Sequence, residues 1–121
     1  GAISALINTN LTKQSLVHCI NVVESKKIIF GEELLDSVDE IKANLSLESP
    51  NDFIFVSDKK TMDCPNWAFH SQSKKQKEDT GEPVNSSGVT IGSTAFYIFT
   101  SGTTGLPKAA NVSHRRFLLA A

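Results

Sequence analysis

Little in this sequence belongs to a specialised composition class. Only two cysteines, Cys19 and Cys64, stand among 121 residues, with no CxxC pair and no flanking histidine cluster. That excludes a disulfide-rich secreted scaffold. One bridge between the two is conceivable on count alone, but reduced structural thiols are the expectation, because unpaired cysteine usually behaves as a small buried hydrophobe. His18, His70 and His114 are too scattered to suggest a metal site by spacing, and no metal ligands are assigned. Twelve basic side chains against thirteen acidic ones leave a net charge of -1, which argues against a nucleic-acid partner or a polybasic membrane-surface protein. No apolar run approaches the roughly 20 residues needed to span a bilayer. No basic leader precedes a greasy stretch near Gly1, so no signal peptide is expected in this window. No internal repeat is present.

What is present is ordinary globular material. Hydrophobic residues make up 40% and charged ones 21%, enough for a packed core within one domain at most. Both ends are apolar: Gly1-Ala2-Ile3-Ser4-Ala5-Leu6-Ile7 opens the chain, and Arg116-Phe117-Leu118-Leu119-Ala120-Ala121 reads as a helix just begun. Natural termini are more often polar and frayed, so an internal piece of a longer protein is expected.

The first half spells an alternation. Residues 3–8 read as a strand and Asn8-Thr9-Asn10 as a turn. Thr12 is placed as a helix N-cap, with Leu11 and Leu16 at the spacing of a hydrophobic staple. Leu16, Val17, Ile20 and Val23 share one helical face, and His18 on that helix reads as structural. A brief strand over 26–30 ends at Gly31. A second helix over about 32–45 carries the stripe Leu34, Val38, Ile41, Leu45, with Glu32 and Glu33 at its favourable N-terminal end. Pro50-Asn51 breaks it, and Phe53-Ile54-Phe55-Val56 runs on as a buried strand. Strand, helix, strand, helix, strand over residues 3–57 predicts a parallel sheet with right-handed crossovers, an α/β fold.

Residues 58–92 read as a long polar loop, rich in Lys, Asp, Glu, Ser and Gly and without apolar period. The basic run Lys74-Lys75-Gln76-Lys77 suits either a phosphate or headgroup patch or, because acidic residues follow at once, a plain solvated loop. Trp67, Phe69 and Met62 either pin this loop to the body or line a partner site.

The chemistry lies further on. The apolar strand Ala95-Phe96-Tyr97-Ile98-Phe99 runs into Thr100-Ser101-Gly102-Thr103-Thr104-Gly105-Leu106-Pro107-Lys108. Glycines let backbone approach an anion closely, successive N–H groups can form an anion-binding concavity, hydroxyls add donors, and Lys108 adds a compact positive charge. The segment is not a Walker A loop, since Pro107 precedes the lysine and Ala109-Ala110 follow it. Asn111-Val112-Ser113 reads as a second strand, so the loop joins two strands. By composition alone, a ligand-free Gly/Thr-rich hairpin turn accounts for the stretch as well.

The ordered string decides between them. Tyr97 to Lys108, YIFTSGTTGLPK, resembles the phosphate-loop signature of the adenylate-forming enzymes, a group that includes acyl-CoA synthetases, luciferases and peptide-synthetase adenylation domains. The stretch from Gly1 to Leu11, Ser15-Leu16-Val17-His18-Cys19 and the ending Leu106-Pro107-Lys108-Ala109-Ala110 are similar to one branch, the very-long-chain acyl-CoA synthetases or fatty-acid transport proteins. The likeness covers most of the chain, and residues 58–92 fall outside it.

That resemblance implies part of the large N-terminal, AMP-binding domain: a mainly parallel sheet with flanking helices and the phosphate loop between two strands. It implies ATP-dependent activation of a fatty acid through an acyl-adenylate to its coenzyme A thioester, with Mg2+ accompanying ATP. Carried over residue by residue, Thr100, Ser101, Gly102, Thr103, Thr104 and Gly105 form the phosphate cradle and Lys108 closes on the phosphates. Tyr97, Ile98 and Phe99 lead into the loop, and Leu106 and Pro107 fix its exit. His114 stands open between a substrate-side group and a core or helix-capping one. The implied partners are the small molecules ATP, fatty acid and coenzyme A. Attachment of the parent to the endoplasmic reticulum or plasma membrane is implied through segments outside this chain. The family's Tyr-Gly-x-Thr-Glu stretch, ribose-binding aspartate and C-terminal lysine are absent from these residues, so the chain by itself is expected to be inactive. Two rival readings stay open: adenylation of another carboxylic acid, and a truncated, non-catalytic nucleotide-binding or interaction protein.

Overall fold

The structure is a computed structural model, and it describes residues 1–58, 62–71, 88–103 and 105–121. Its elements follow where apolar residues run on or alternate. Strand β1 covers Ser4–Leu6, helix α1 Lys13–Val22 and strand β2 Ile28–Gly31. Helix α2 covers Leu35–Ile41, strand β3 Phe53–Val56 and strand β4 Phe69–His70. Strand β5 covers Thr94–Thr100, strand β6 Lys108–Ser113 and helix α3 His114–Ala120. The architecture is α/β, with helices flanking two three-stranded sheets ordered β1-β5-β6 and β2-β3-β4.

The second sheet is wholly parallel. Ile28 to Gly31 pair in register with Phe53 to Val56, and Ile54-Phe55 pair with Phe69-His70. Phe53 and Phe55 are buried, and with Phe30, Ile20, Val38, Ile41, Leu45 and Leu47 they form the core beneath α1 and α2. Removing such side chains from water, at roughly 25 cal/mol per Å² of apolar surface, is the main force holding these elements together.

The expected single sheet over residues 3–57 is corrected here. β1 does not lie beside β2; it pairs in parallel with β5, Ser4 with Phe96 and Leu6 with Ile98. In β1 only Ala5 is even half-buried, so this strand has no apolar face to contribute to the core under α1. It takes the free edge of β5 instead, and α1 crosses between sheets, packing on α2 to one side and β6 to the other.

The expected helix over 32–45 is also corrected. It is a 3-10 turn (Glu32–Leu34), the helix α2, and a second 3-10 turn (Lys42–Asn44). The stripe survives, since Val38, Ile41 and Leu45 are buried. No side chain caps either N-terminus, and uncapped helix ends tighten into i→i+3 turns. Thr12 does occupy the N-cap position of α1, with extended backbone, yet its hydroxyl accepts no capping hydrogen bond. At Pro50 the chain starts a short 3-10 turn capped by Ser49, whose hydroxyl accepts from the Asn51 N–H while Asp52 accepts from the Ser49 N–H.

Within the stretch read as polar loop, β4 is an unforeseen strand, too short for any period of two to announce it. Trp67 pins this segment to the body. It stacks on Phe30 with ring centroids 5.8 Å apart, meets Phe53 edge-on at 5.5 Å, and carries the Lys42 ammonium 4.7 Å from its ring centre. Met62, by contrast, is exposed. The basic run 74–77 lies outside the described residues.

Cys19 is fully buried and Cys64 half-buried, both as free thiols. Burial pushes each thiol up from its ordinary pKa, keeping it protonated and unreactive at neutral pH. Alkylation of the native protein at pH 7, followed by peptide mapping, should therefore leave Cys19 unmodified until denaturant is added. Rapid native labelling of Cys19 would contradict the packing described.

Candidate functional site

The seat of the loop is an antiparallel ladder. β5 and β6 pair from Thr94 with Ser113 through Phe96 with Val112, Tyr97 with Asn111, Ile98 with Ala110 and Phe99 with Ala109, to Thr100 with Lys108. The ladder thus delivers a hydroxyl residue and a lysine opposite each other, with residues 101–107 as the connecting bend. Along β5, Tyr97 and Phe99 are half-buried while Ile98 and Thr100 are exposed, the alternation a pleated strand imposes.

Within the bend, Ser101, Thr103 and Gly105 are exposed, and Gly102, Leu106 and Pro107 are half-buried. Thr104 lies outside the described residues. Gly105 has φ +86°, a left-handed conformation that costs other residues about 1–2 kcal/mol, and its N–H reaches the Gly102 carbonyl at 3.4 Å. Gly102 serves a different need. A Cβ there would sit 2.4 Å from the Leu106 carbonyl oxygen and 3.3 Å from Lys108 Cγ. The missing side chain lets the bend fold back on itself and lets the Lys108 stem lie over it. Lys108 is itself exposed. The result is a tight backbone turn with hydroxyls outward and one ammonium group rooted at its base, an arrangement suited to an oxyanion with several oxygens.

The structure also brings in His18, which the sequence reading left as a structural helix residue. Its Nε2 lies 2.9 Å from the Pro107 carbonyl oxygen. A carbonyl can only accept, so Nε2 carries the proton. The two residues are 89 positions apart, and no periodicity in either segment links them. His114 is not part of this cluster. It begins α3 at the far end of β6, roughly 20 Å along the strand from Lys108. Its backbone N–H bonds the Ser93 carbonyl at 3.1 Å, and Ser113 supplies the cap.

With this geometry in hand, likeness to known proteins becomes specific. The family model described as AMP-binding enzyme matches residues 1–121. The chain belongs to the AMP-binding enzyme family. Among curated proteins it is 39% identical over 121 residues to long-chain fatty acid transport protein 6 of Mus musculus, covering 98% of this chain and 18% of that protein. It is 33% identical over 116 residues to long-chain fatty acid transport protein 2 of Rattus norvegicus, covering 96% and 18%. It is also 32% identical over 120 residues to a medium/long-chain-fatty-acid–CoA ligase of Mycobacterium tuberculosis, covering 99% and 18%. The chain thus spans under a fifth of the length of these relatives.

Two substitutions test the bend. Gly105→Ala should open it by about 1–2 kcal/mol, which accelerates limited proteolysis within residues 100–108 by roughly 5–30-fold, since cleavage follows the open population. Gly102→Ala should do at least as much, because its new Cβ meets backbone rather than a flexible side chain. Unchanged cleavage in both variants would contradict the loop geometry.

Proposed function

We propose that this chain is the phosphate-binding part of the N-terminal domain of a longer fatty acyl-CoA synthetase, an AMP-forming acid–thiol ligase for long or very long chains, coupled to fatty-acid uptake. In the reaction a fatty carboxylate oxygen attacks the α-phosphorus of ATP. The bond from that phosphorus to the bridging oxygen breaks, and pyrophosphate leaves with the electron pair. The thiol of coenzyme A then attacks the acyl-adenylate carbonyl, gives up its proton, and AMP departs.

The role assigned to this chain is to hold the β- and γ-phosphates. Thr100, Ser101, Thr103 and Thr104 offer hydroxyl donors, Gly102 and Gly105 bring backbone close, and Lys108 neutralises charge growing on the leaving pyrophosphate. Tyr97, Ile98 and Phe99 hold the way in, and Leu106 and Pro107 the way out. Mg2+ arriving on ATP would draw charge from the phosphate oxygens. The exposed Thr100, Ser101 and Thr103 hydroxyls are oxygen ligands of the class that hard cations accept, and among the described residues no group of three or more His, Cys, Asp or Glu side chains converges.

The observation that carries this reading is the pairing of Thr100 with Lys108 at the mouth of a hydroxyl-lined bend, the lysine stem lying over Gly102. The relatives, a fatty-acid–CoA ligase and fatty acid transport proteins by name, support fatty acid as the substrate. The name fatty acid transport protein is in keeping with membrane association of the intact protein, which we place at the endoplasmic reticulum or plasma membrane. No helix among the described residues is long and apolar enough to cross a membrane; attachment through parts outside this chain is part of the proposal. The segment alone is proposed not to turn over.

The test is fatty-acid-dependent ATP–pyrophosphate exchange by the full-length protein, screened over acyl chain lengths and over aryl and amino acids. Exchange with long-chain fatty acids is expected, and Lys108→Ala should lower it on the order of 100-fold. Absence of exchange with every fatty acid would overturn the proposal, and exchange with aryl or amino acids alone would redirect it to another carboxylate.

A further inference from the structure

The hydrogen bond from His18 to Pro107 lies outside the roles assigned above, and its placement is informative. Pro107 has no N–H, so its carbonyl is the one polar handle its backbone offers. That carbonyl belongs to the same planar peptide as the Lys108 N–H. Whatever holds the Pro107 oxygen therefore orients the peptide from which Lys108 departs. Among the described residues, no other side chain from outside the bend hydrogen-bonds its backbone.

The donor is well mounted. His18 precedes Cys19 and Ile20, which are 0% and 2% exposed, so the helix turn carrying the imidazole is anchored in the core. The acceptor lies on a bend whose residues are half-buried at most. Two open clefts, about 370 and 570 Å³, flank the contact, and His18 and Leu106 line both. Pro107 is half-buried and borders the larger cleft, so packing alone leaves its peptide room to turn, and the hydrogen bond supplies that restraint. A functional group held through a rigid element keeps its geometry better than one carried on a loop alone.

We propose that His18 is a positioning residue for the phosphate loop: by donating from Nε2 to the Pro107 carbonyl it fixes the peptide leading into Lys108 and thereby the point from which the lysine reaches the phosphates. This rests on the proposed ATP-binding role of the bend. His18 touches no reacting atom and acts through Pro107 and Lys108.

Two measurements on the full-length protein test it. His18→Phe removes the donor while keeping a ring. His18→Gln places an amide N–H near the position of Nε2. The first measurement is steady-state exchange with ATP and fatty acid varied separately. His18→Phe should raise the KM for ATP roughly 2–10-fold, the range of one net hydrogen bond, with the KM for fatty acid unchanged, and His18→Gln should restore the ATP value. The second is amide hydrogen exchange of peptides spanning residues 101–108 in the nucleotide-free protein. It should quicken in His18→Phe, return toward wild type in His18→Gln, and do so at unchanged melting temperature. An active enzyme whose ATP KM ignores His18→Phe, or rises only in step with the fatty-acid KM, would overturn the positioning role while leaving the loop reading intact. Wild-type protein without exchange activity would overturn the functional reading, and the hydrogen-exchange arm would still decide whether His18 restrains the bend: unchanged exchange in His18→Phe removes the tether.

Discussion

The ladder between β5 and β6 is the interaction on which the rest depends. It runs from Thr94 opposite Ser113 to Thr100 opposite Lys108, and its last rung decides where the bend begins and ends. A slip of one residue would move every side chain of β5 to the other face, turning Tyr97 and Phe99 outward and Ile98 inward. It would also take Lys108 from its place across from Thr100. β1 then adds to the free edge of β5, so the strand leading into the bend is held on both sides. A bend seated on a central strand is a more accurate platform than one between two edge strands, because β5 is paired on both flanks from Phe96 to Ile98.

Gly102 and Gly105 show how that platform becomes a shape. One provides a backbone conformation and the other provides room. Neither requirement is visible in composition, which treats all glycines alike, yet the two are not interchangeable. Gly105 answers to its own dihedral angle, Gly102 to the Leu106 carbonyl and the Lys108 stem pressed against it. The exposure of Ser101 and Thr103 beside Gly102 follows from the tight turn they line.

Much of this was legible in the residues. The run FIFV announced a buried strand and AFYIF an apolar one, the stripe of Val38, Ile41 and Leu45 announced an inward helix face, and the hydroxyl-glycine string announced a bend between two strands. What was not legible is long-range. β1 has no apolar alternation strong enough to name its partner, and its partner lies some ninety residues on. β4 is two residues long. The breaking of the expected 32–45 helix into three pieces follows from caps that are missing, a weaker signal than caps that are present. His18 is the sharpest case. Its neighbours make it look like one more residue on an amphipathic helix, and only the crossing of α1 between the two sheets brings its ring to Pro107.

The central claim is that the bend before Lys108 grips the outer phosphates of ATP. A crystal structure of the intact protein with ATP and a divalent ion is its most direct examination. The account predicts the β- and γ-phosphate oxygens against the backbone and hydroxyls of residues 100–105, with the Lys108 ammonium within hydrogen-bonding distance of one of them. Triphosphate density elsewhere on the protein, with the bend holding only solvent, would contradict it.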